Sequence, residues 1–355
     1  MWQFRKMDFK KKVLIIGGGL SGLTLAYLLQ QKNRSVTLLE ASARTGGRIH
    51  TVAGRLGTPM ELGATWFSDA HPHLLALIGE LRLQKFPQYS GGVSLFQTKS
   101  FEPPQRFWVP ESEAPSYRLA GGTQALITAL ERQLPGEVIR LNKKVVAVAE
   151  NKDGLEVTTS DGALYTADQV VSCIPPRLAG TIAFVPGIPG AVKELLPAVH
   201  TWMAGAVKVV LEYEVPFWRS KGFSGMLYSH AGILTELYDH TNFENGRFAL
   251  TGFLNTGAAS FSQEVREELV LEQLKGLLGN EAAHPVLYLD KVWNDELVTV
   301  GQPVIERPHQ NNGHPVLDQS YLGNRFFFCG AETASAFGGY MEGAVIAARH
   351  TFRKL

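Results

Sequence analysis

The 355-residue sequence predicts an α/β fold, and three observations carry that prediction. The run Val13–Ile16 is short and wholly apolar, as a strand buried in a parallel sheet must be. It leads into Gly17-Gly18-Gly19-Leu20-Ser21-Gly22, after which Leu20, Leu23, Tyr27 and Leu28 recur at helical spacing. A second apolar run, Ser35–Leu39, ends at Glu40, 23 residues beyond Gly17. Strand, glycine turn, helix, strand and acid, in that order, form a Rossmann-like unit with the dinucleotide fingerprint.

Each part of that unit has a physical task. Gly17 permits the turn, and Gly19 lets backbone approach a pyrophosphate where Leu20 and Ser21 open the helix. Gly22 lets helix and strand pack closely, and Glu40 is placed to accept hydrogen bonds from an adenosine ribose. A bare glycine motif is equally a small-residue turn; the ordered context is what argues for a nucleotide.

Composition narrows the class. Apolar residues make up 45% and charged residues 19%, as in an ordinary globular protein long enough for two cores. A net charge of +1 gives no electrostatic reason for a nucleic-acid or acidic-membrane partner. Cys173 and Cys329 lie far apart without metal-type spacing, which suits a reducing compartment, and the ten histidines form no ligand pattern, so no metal is expected. The basic start, with Met7 an alternative to Met1, lacks a signal-peptide core, no apolar run reaches spanning length, and the chain stops at Leu355 without a tail. The expectation is a soluble cytoplasmic protein acting on a small molecule, its oligomeric state open.

The continuation Glu40-Ala-Ser-Ala-Arg-Thr-Gly46-Gly47-Arg48 adds two glycines for close backbone approach and an arginine able to fork donors onto phosphate oxygens. This stretch resembles the flavin amine oxidase superfamily. Further on, Met60-Glu61-Leu62-Gly63-Ala64-Thr65-Trp66 is similar to its second flavin segment, and Gly338-Gly339-Tyr340-Met341-Glu342-Gly343-Ala344 to its C-terminal motif. The resemblance spans nearly the whole chain. It implies FAD in a Rossmann-like domain of the GR2 type, with an inserted, reduced α+β substrate domain. The FAD-binding domain is then discontinuous, over 8–80, 118–185 and 301–355, and the substrate domain takes 81–117 and 186–300.

The remaining elements follow in order. Residues 71–117 read as irregular and proline-rich, far shorter than the family's interval. A helix runs through Leu126, Ile127, Leu130 and Leu134. Strands follow at Val138–Leu141, Val145–Ala149, Leu155–Thr159, Leu164–Thr166 and Gln169–Cys173, with Asp-Gly turns between alternating runs. The inserted piece carries strands around Val207–Tyr213, Leu234–Asp239 and Phe248–Phe253, and a helix Glu264–Leu278 apolar at Val265, Leu269 and Leu274.

By resemblance, Gly63, Ala64 and Thr65 pass along the isoalloxazine, and backbone near Val145 meets the adenine. Gly330 and Glu332 serve the ribityl and phosphate side, while Tyr340 and Met341 open a helix aimed at the flavin pyrimidine edge. Lys208 matches the family lysine that holds a water against flavin N5; its apolar neighbours argue against the alternative, a lysine on an exposed strand face. Tyr340 matches one member of the aromatic cage flanking the amine. Trp293 fits the family tryptophan, and Trp66 either borders the substrate or is core. Gln302 stands where some relatives carry a flavin-bonding cysteine, so the FAD should be non-covalent, and Pro303 replaces the second cage tyrosine. The leading function is an amine oxidase moving hydride from an amine α-carbon to flavin N5, with oxygen as acceptor and hydrogen peroxide as product. A desaturase or protoporphyrinogen-type oxidase and a non-catalytic flavoprotein module are the alternatives.

Overall fold

The apolar run at residues 13–16 folds as strand Lys12–Ile16, in the interior of a six-stranded sheet. The computed structural model describes residues 11–110, 115–294, 307 and 309–355. Strand order is Ser320–Tyr321, Phe326–Phe328, Gln169–Ser172, Lys12–Ile16, Ser35–Leu39 and Ile139–Arg140, parallel except at the first pair. Alternation sends Val13 and Ile15 into a core with helices Leu20–Gln31 and Met341–Phe352. Leu14 and Ile16 point the other way, to Val148, Leu155 and Val157 of a four-stranded sheet. Both faces are covered, which is why the strand carries no polar residue after Lys12.

A seven-stranded sheet forms the other half. Its order is Leu287–Val292, Val207–Tyr213, Phe248–Leu254, Leu234–Asp239, Phe223–Ser229, Val93–Gln97 and Gln105–Trp108. Val207, Val209, Leu211 and Tyr213 face helix Gln263–Leu278. The alternate residues Lys208, Val210 and Glu212 face the first half. There Val210 packs with Met60 and Leu62, and Glu212 accepts hydrogen bonds from Leu56 N (3.1 Å) and Thr58 N (3.2 Å).

Several expectations change. Residues 71–117 are not irregular: they hold helix Pro72–Glu80 and strands Lys85–Pro87, Val93–Gln97, Gln105–Trp108 and Tyr117–Leu119. The prolines are compatible because Pro72 begins a helix, Pro87 ends a strand and Pro103-Pro104 fall between two strands. Strands Phe223–Ser229 and Leu287–Val292 were not anticipated, and Val138–Leu141 contracts to Ile139–Arg140. Helix Gln263–Leu278 buries Arg266, Val270, Leu274 and Leu278, leaving Val265 40% and Leu269 37% exposed. Asp290 chooses that stripe: its carboxylate takes two hydrogen bonds from Arg266, each 2.7 Å. Cys173 and Cys329, distant in sequence, immediately follow adjacent parallel strands, and both are buried free thiols. Among the described residues no helix is long and apolar enough to cross a membrane.

Candidate flavin and substrate site

The glycine turn builds the first wall. Gly17 has φ 104°, and its N–H donates to Leu39 O at 2.8 Å, tying the turn to the next strand. A Cβ on Gly22 would stand 2.0 Å from Gly17 O, so only glycine lets the helix approach. Helix Leu20–Gln31 begins at extended Gly19 with no side-chain cap and no acid in its first turn. Its positive end is left for an anion. Glu40 accepts from Gly18 N (2.6 Å), Ser42 N (2.8 Å) and Ser42 Oγ (2.8 Å). Gly46 N donates to Gly18 O (2.8 Å), closing the second glycine pair onto the turn. The Ser21 hydroxyl points away, donating to Ala344 O at 3.0 Å and to the Cys329 carbonyl.

A cavity of about 700 Å³ runs from this wall through the molecule. One end is lined by Glu40, Ser42, Lys143 and Val145. The middle passes Gly17, Gly19, Leu20, Ser21 and Arg48, opposite Ile174 and Pro175. Gly63, Ala64, Thr65, Trp66, Phe253 and Lys208 line the far end, with Trp293, Tyr340 and Met341. Gly22, Gly330 and Glu332 lie behind the lining. Arg48 departs from the phosphate-clamp expectation: its Nη2 stands 2.7 Å from Glu332 Oε1, and its Nη1 donates to Trp202 O (3.3 Å) and Gly339 O (3.5 Å). Glu332 is fully buried, and a buried carboxylate draws the nearest cation.

At the far end Lys208 is fully buried near the start of strand Val207–Tyr213. Its ammonium donates to Gly63 O (2.6 Å) and to the Thr65 hydroxyl, and lies 4.8 Å from the Trp66 ring and 5.6 Å from that of Phe253. Burial pushes its pKa down to about 7, against the upward pull of Glu61. Beneath it lies a second set of buried charges. Burial raises the Glu61 carboxyl, opposed by Lys208, and lowers Arg118 to about 10. His240 Nδ1 accepts from Arg118 Nη1 (2.8 Å) and its Nε2 donates to Pro59 O (3.0 Å); burial and the Arg118 and Lys208 charges keep the ring neutral.

The aromatic surroundings mix predicted and unpredicted residues. Trp293 is buried, its indole donating to Leu62 O at 2.7 Å, while Trp66 donates to Gln88 Oε1 at 2.8 Å. Tyr340 is 41% exposed and stacks on His309 (5.2 Å, 18°) beside Trp202 (6.0 Å, 31°). Gln302 and Pro303 lie outside the described residues. Trp202 and Phe253 had no sequence signal; Phe253 reaches the cavity only because its strand pairs it with Lys208. Glu342 of the C-terminal motif also has an unanticipated place. It accepts from His73 N (3.1 Å) and Leu74 N (2.7 Å), capping helix Pro72–Glu80, whose own first residues supply no side-chain cap.

An elongated cavity with a glycine-rich anion cradle at its middle and a lysine amid aromatic rings at its end suits a flavin dinucleotide. The buried Glu332 carboxylate supports that fit: among the described residues Oε2 has no hydrogen-bond partner, leaving an acceptor for a hydroxyl. These features define a flavoprotein oxidoreductase. Residues 20–100 and 86–351 match the flavin containing amine oxidoreductases, and the chain belongs to that family, whose cofactor is FAD. Among curated relatives, a probable flavin-containing monoamine oxidase A of Dictyostelium discoideum is 24% identical, with 94% of each chain covered. Putrescine oxidase of Kocuria rosea is 26% identical over 82% of this chain and 84% of its own. Solved structures agree in fold: a putrescine oxidase superposes with TM-score 0.82 at 22% identity, covering 97% of this chain and 98% of its own. Cyclohexylamine oxidase from Brevibacterium oxydans gives 0.83 at 20% identity with the same coverage.

Gly22→Ala should abolish flavin retention, because the added methyl collides with Gly17 O and displaces the turn from the helix start. The ratio of blue to ultraviolet absorbance of purified protein measures this. A fully yellow variant with unchanged circular dichroism would refute the role of the close approach.

Proposed function

We propose that the chain oxidises primary or secondary amines at the α-carbon, with its FAD held non-covalently and dioxygen as acceptor. The observation that carries this reading is Lys208: a buried ammonium at the cavity end, flanked by Trp66 and Phe253. The flavin supplies, when bound, a two-electron acceptor for hydride from the amine α-carbon, and dioxygen carries those electrons to hydrogen peroxide. Gly17, Gly19, Leu20, Ser21 and Glu40 would hold the dinucleotide, with Val145 toward its adenine and Gly63 to Thr65 along its ring. Glu332, behind Gly330, would offer Oε2 to a ribityl hydroxyl, and Arg48 orients that carboxylate. Met341 opens the helix whose N-terminus favours negative charge at the ring. Trp66, Trp293 and Tyr340 form apolar walls that admit the neutral amine and exclude water.

Lys208 has two tasks. It fixes the Gly63–Thr65 segment through its two hydrogen bonds, and its proton places a cation where dioxygen takes on negative charge. The decisive experiment is an aerobic screen of purified yellow protein against a panel of amines with peroxide detection. Peroxide formation with at least one amine supports the reading; a panel that neither bleaches the flavin nor yields peroxide overturns it.

Two further outcomes are expected. Acid precipitation should release all flavin to the supernatant, because Gln302 offers no thiol for attachment; a yellow pellet would contradict non-covalent binding. Lys208→Met should leave FAD bound but slow reoxidation by roughly a hundredfold, the typical loss for one preorganised charge. Stopped-flow mixing of reduced enzyme with oxygenated buffer reads that step. Since the Lys208 pKa is lowered to about 7, the cation is present below that pH and lost above it. The wild-type rate should therefore fall as pH rises through 7, and the Met variant should show no such limb.

A further inference from the structure

The ring that faces the Lys208 ammonium is held from behind the cavity wall. Trp66 lines the cavity, and its indole N–H donates to Gln88 Oε1 at 2.8 Å. Gln88 stands behind that lining, just after strand Lys85–Pro87. One short stretch of chain binds the backbones of both partners. Tyr117 exchanges two backbone hydrogen bonds with Phe67, the residue after Trp66, at 2.6 and 3.2 Å. Gln88 N donates to Ser116 O at 2.8 Å, and strand Lys85–Pro87 pairs with Tyr117–Leu119. Residues 116–117 therefore set the distance that the side chains of Trp66 and Gln88 must bridge.

The Gln88 amide is itself fixed. Its Nε2 donates to Asp239 O (2.7 Å) and Tyr89 O (3.1 Å), so a flipped amide would set donor against donor at the indole and oxygen against oxygen at Asp239. Asp239 is fully buried, and its carboxylate accepts from Trp218 Nε1 (2.8 Å), Arg219 Nε (2.7 Å) and Nη2 (2.9 Å), and Thr241 N (2.8 Å). Arg219 also lies over the Tyr89 ring, 3.7 Å from its centre. The ring contacts of Trp66 are of another kind. It meets Tyr238 edge-on at 5.1 Å and Phe253 tilted at 6.3 Å, with the Lys208 ammonium 4.8 Å away. Such contacts tolerate a range of angles, whereas a hydrogen bond weakens steeply off its line, and indole has one donor. The bond to Gln88 is thus the directional restraint on the ring.

We propose that Gln88 is a positioning residue for amine oxidation: it fixes the plane of Trp66, so that the wall facing Lys208 is in place before the amine arrives. This rests on the amine-oxidase reading above. Gln88 takes no part in the hydride transfer. Its contribution is preorganisation, because a ring left free to turn must be ordered at the moment of binding, at the expense of affinity. Once the amine is bound the ring is in the same place with or without Gln88, and the reacting geometry is the same.

Anaerobic stopped-flow reduction by an amine active in the peroxide screen gives the dissociation constant and the limiting rate of flavin reduction together. Gln88→Met keeps the length of the side chain and removes its carbonyl and amide. It should raise the dissociation constant about fivefold, the cost of immobilising one free side chain. The limiting rate and the spectrum of bound FAD should stay at their wild-type values. Trp66→Phe deletes the indole N–H from the other side of the bond. In that background Gln88→Met should add nothing, since no donor is left to hold, whereas independent effects would multiply. An unchanged constant in Gln88→Met alone, or a fivefold loss that recurs in the Phe background, overturns the proposal. So does a joint fall of limiting rate and FAD retention, which marks a general disturbance of the fold. Failure of the underlying reading looks different: no amine would reduce the wild-type flavin.

Discussion

The site depends on one buried ammonium. Lys208 has no access to water, so its protons must find acceptors inside the protein, and those acceptors are Gly63 O and the Thr65 hydroxyl. The segment that supplies them belongs to the nucleotide-binding half, whereas the lysine belongs to the seven-stranded sheet. The same seam continues through apolar contact of Val210 with Met60 and Leu62, and through the Glu212 carboxylate on the amides of Leu56 and Thr58. A polar centre flanked by an apolar patch and a second buried acid holds the halves at one distance. The far end of the cavity is the space left between them.

The charges behind that seam explain why the lysine is tunable. Glu61, Arg118 and His240 are all buried, each bonded to backbone or to one another. Glu61 draws the Lys208 proton on, while burial and Arg118 drive it off. Interactions among such groups are strong because little water screens them. The balance keeps the ammonium near the point where it can exist in either state around neutral pH. A surface lysine, solvated on all sides, has no comparable adjustment.

The motifs at the two ends of the chain meet through ordinary packing. Helix Met341–Phe352 lies against helix Leu20–Gln31 in one core, and Ser21 reaches across to the Ala344 carbonyl. Glu342, at the other end of the chain from the first glycine turn, anchors the start of helix Pro72–Glu80. Thus the C-terminal helix both lines the cavity, through Met341 and Ala344, and secures the element that follows the second flavin segment. Gly339, Tyr340, Met341 and Ala344 of the motif line the cavity, and Glu342 among them maintains its surroundings.

The amino-acid order by itself determined the glycine turn between strand Lys12–Ile16 and helix Leu20–Gln31. Those features are local: a glycine needed for a positive φ, a glycine needed for a close approach, an apolar run too short for anything but a strand. It also placed strands Val207–Tyr213 and Leu234–Asp239 at their observed bounds. It did not place Phe253 beside Lys208, nor Trp202 beside Tyr340, nor Cys173 beside Cys329. Of the apolar positions it gave helix Gln263–Leu278, Leu274 is buried but Val265 and Leu269 are not, and Arg266 is buried instead against Asp290, from a strand that periodicity did not reveal. Which strands neighbour one another, and in what register, is decided by burial summed over whole faces. A shift of one residue would turn an entire row to the opposite face, and no single residue carries that information in sequence.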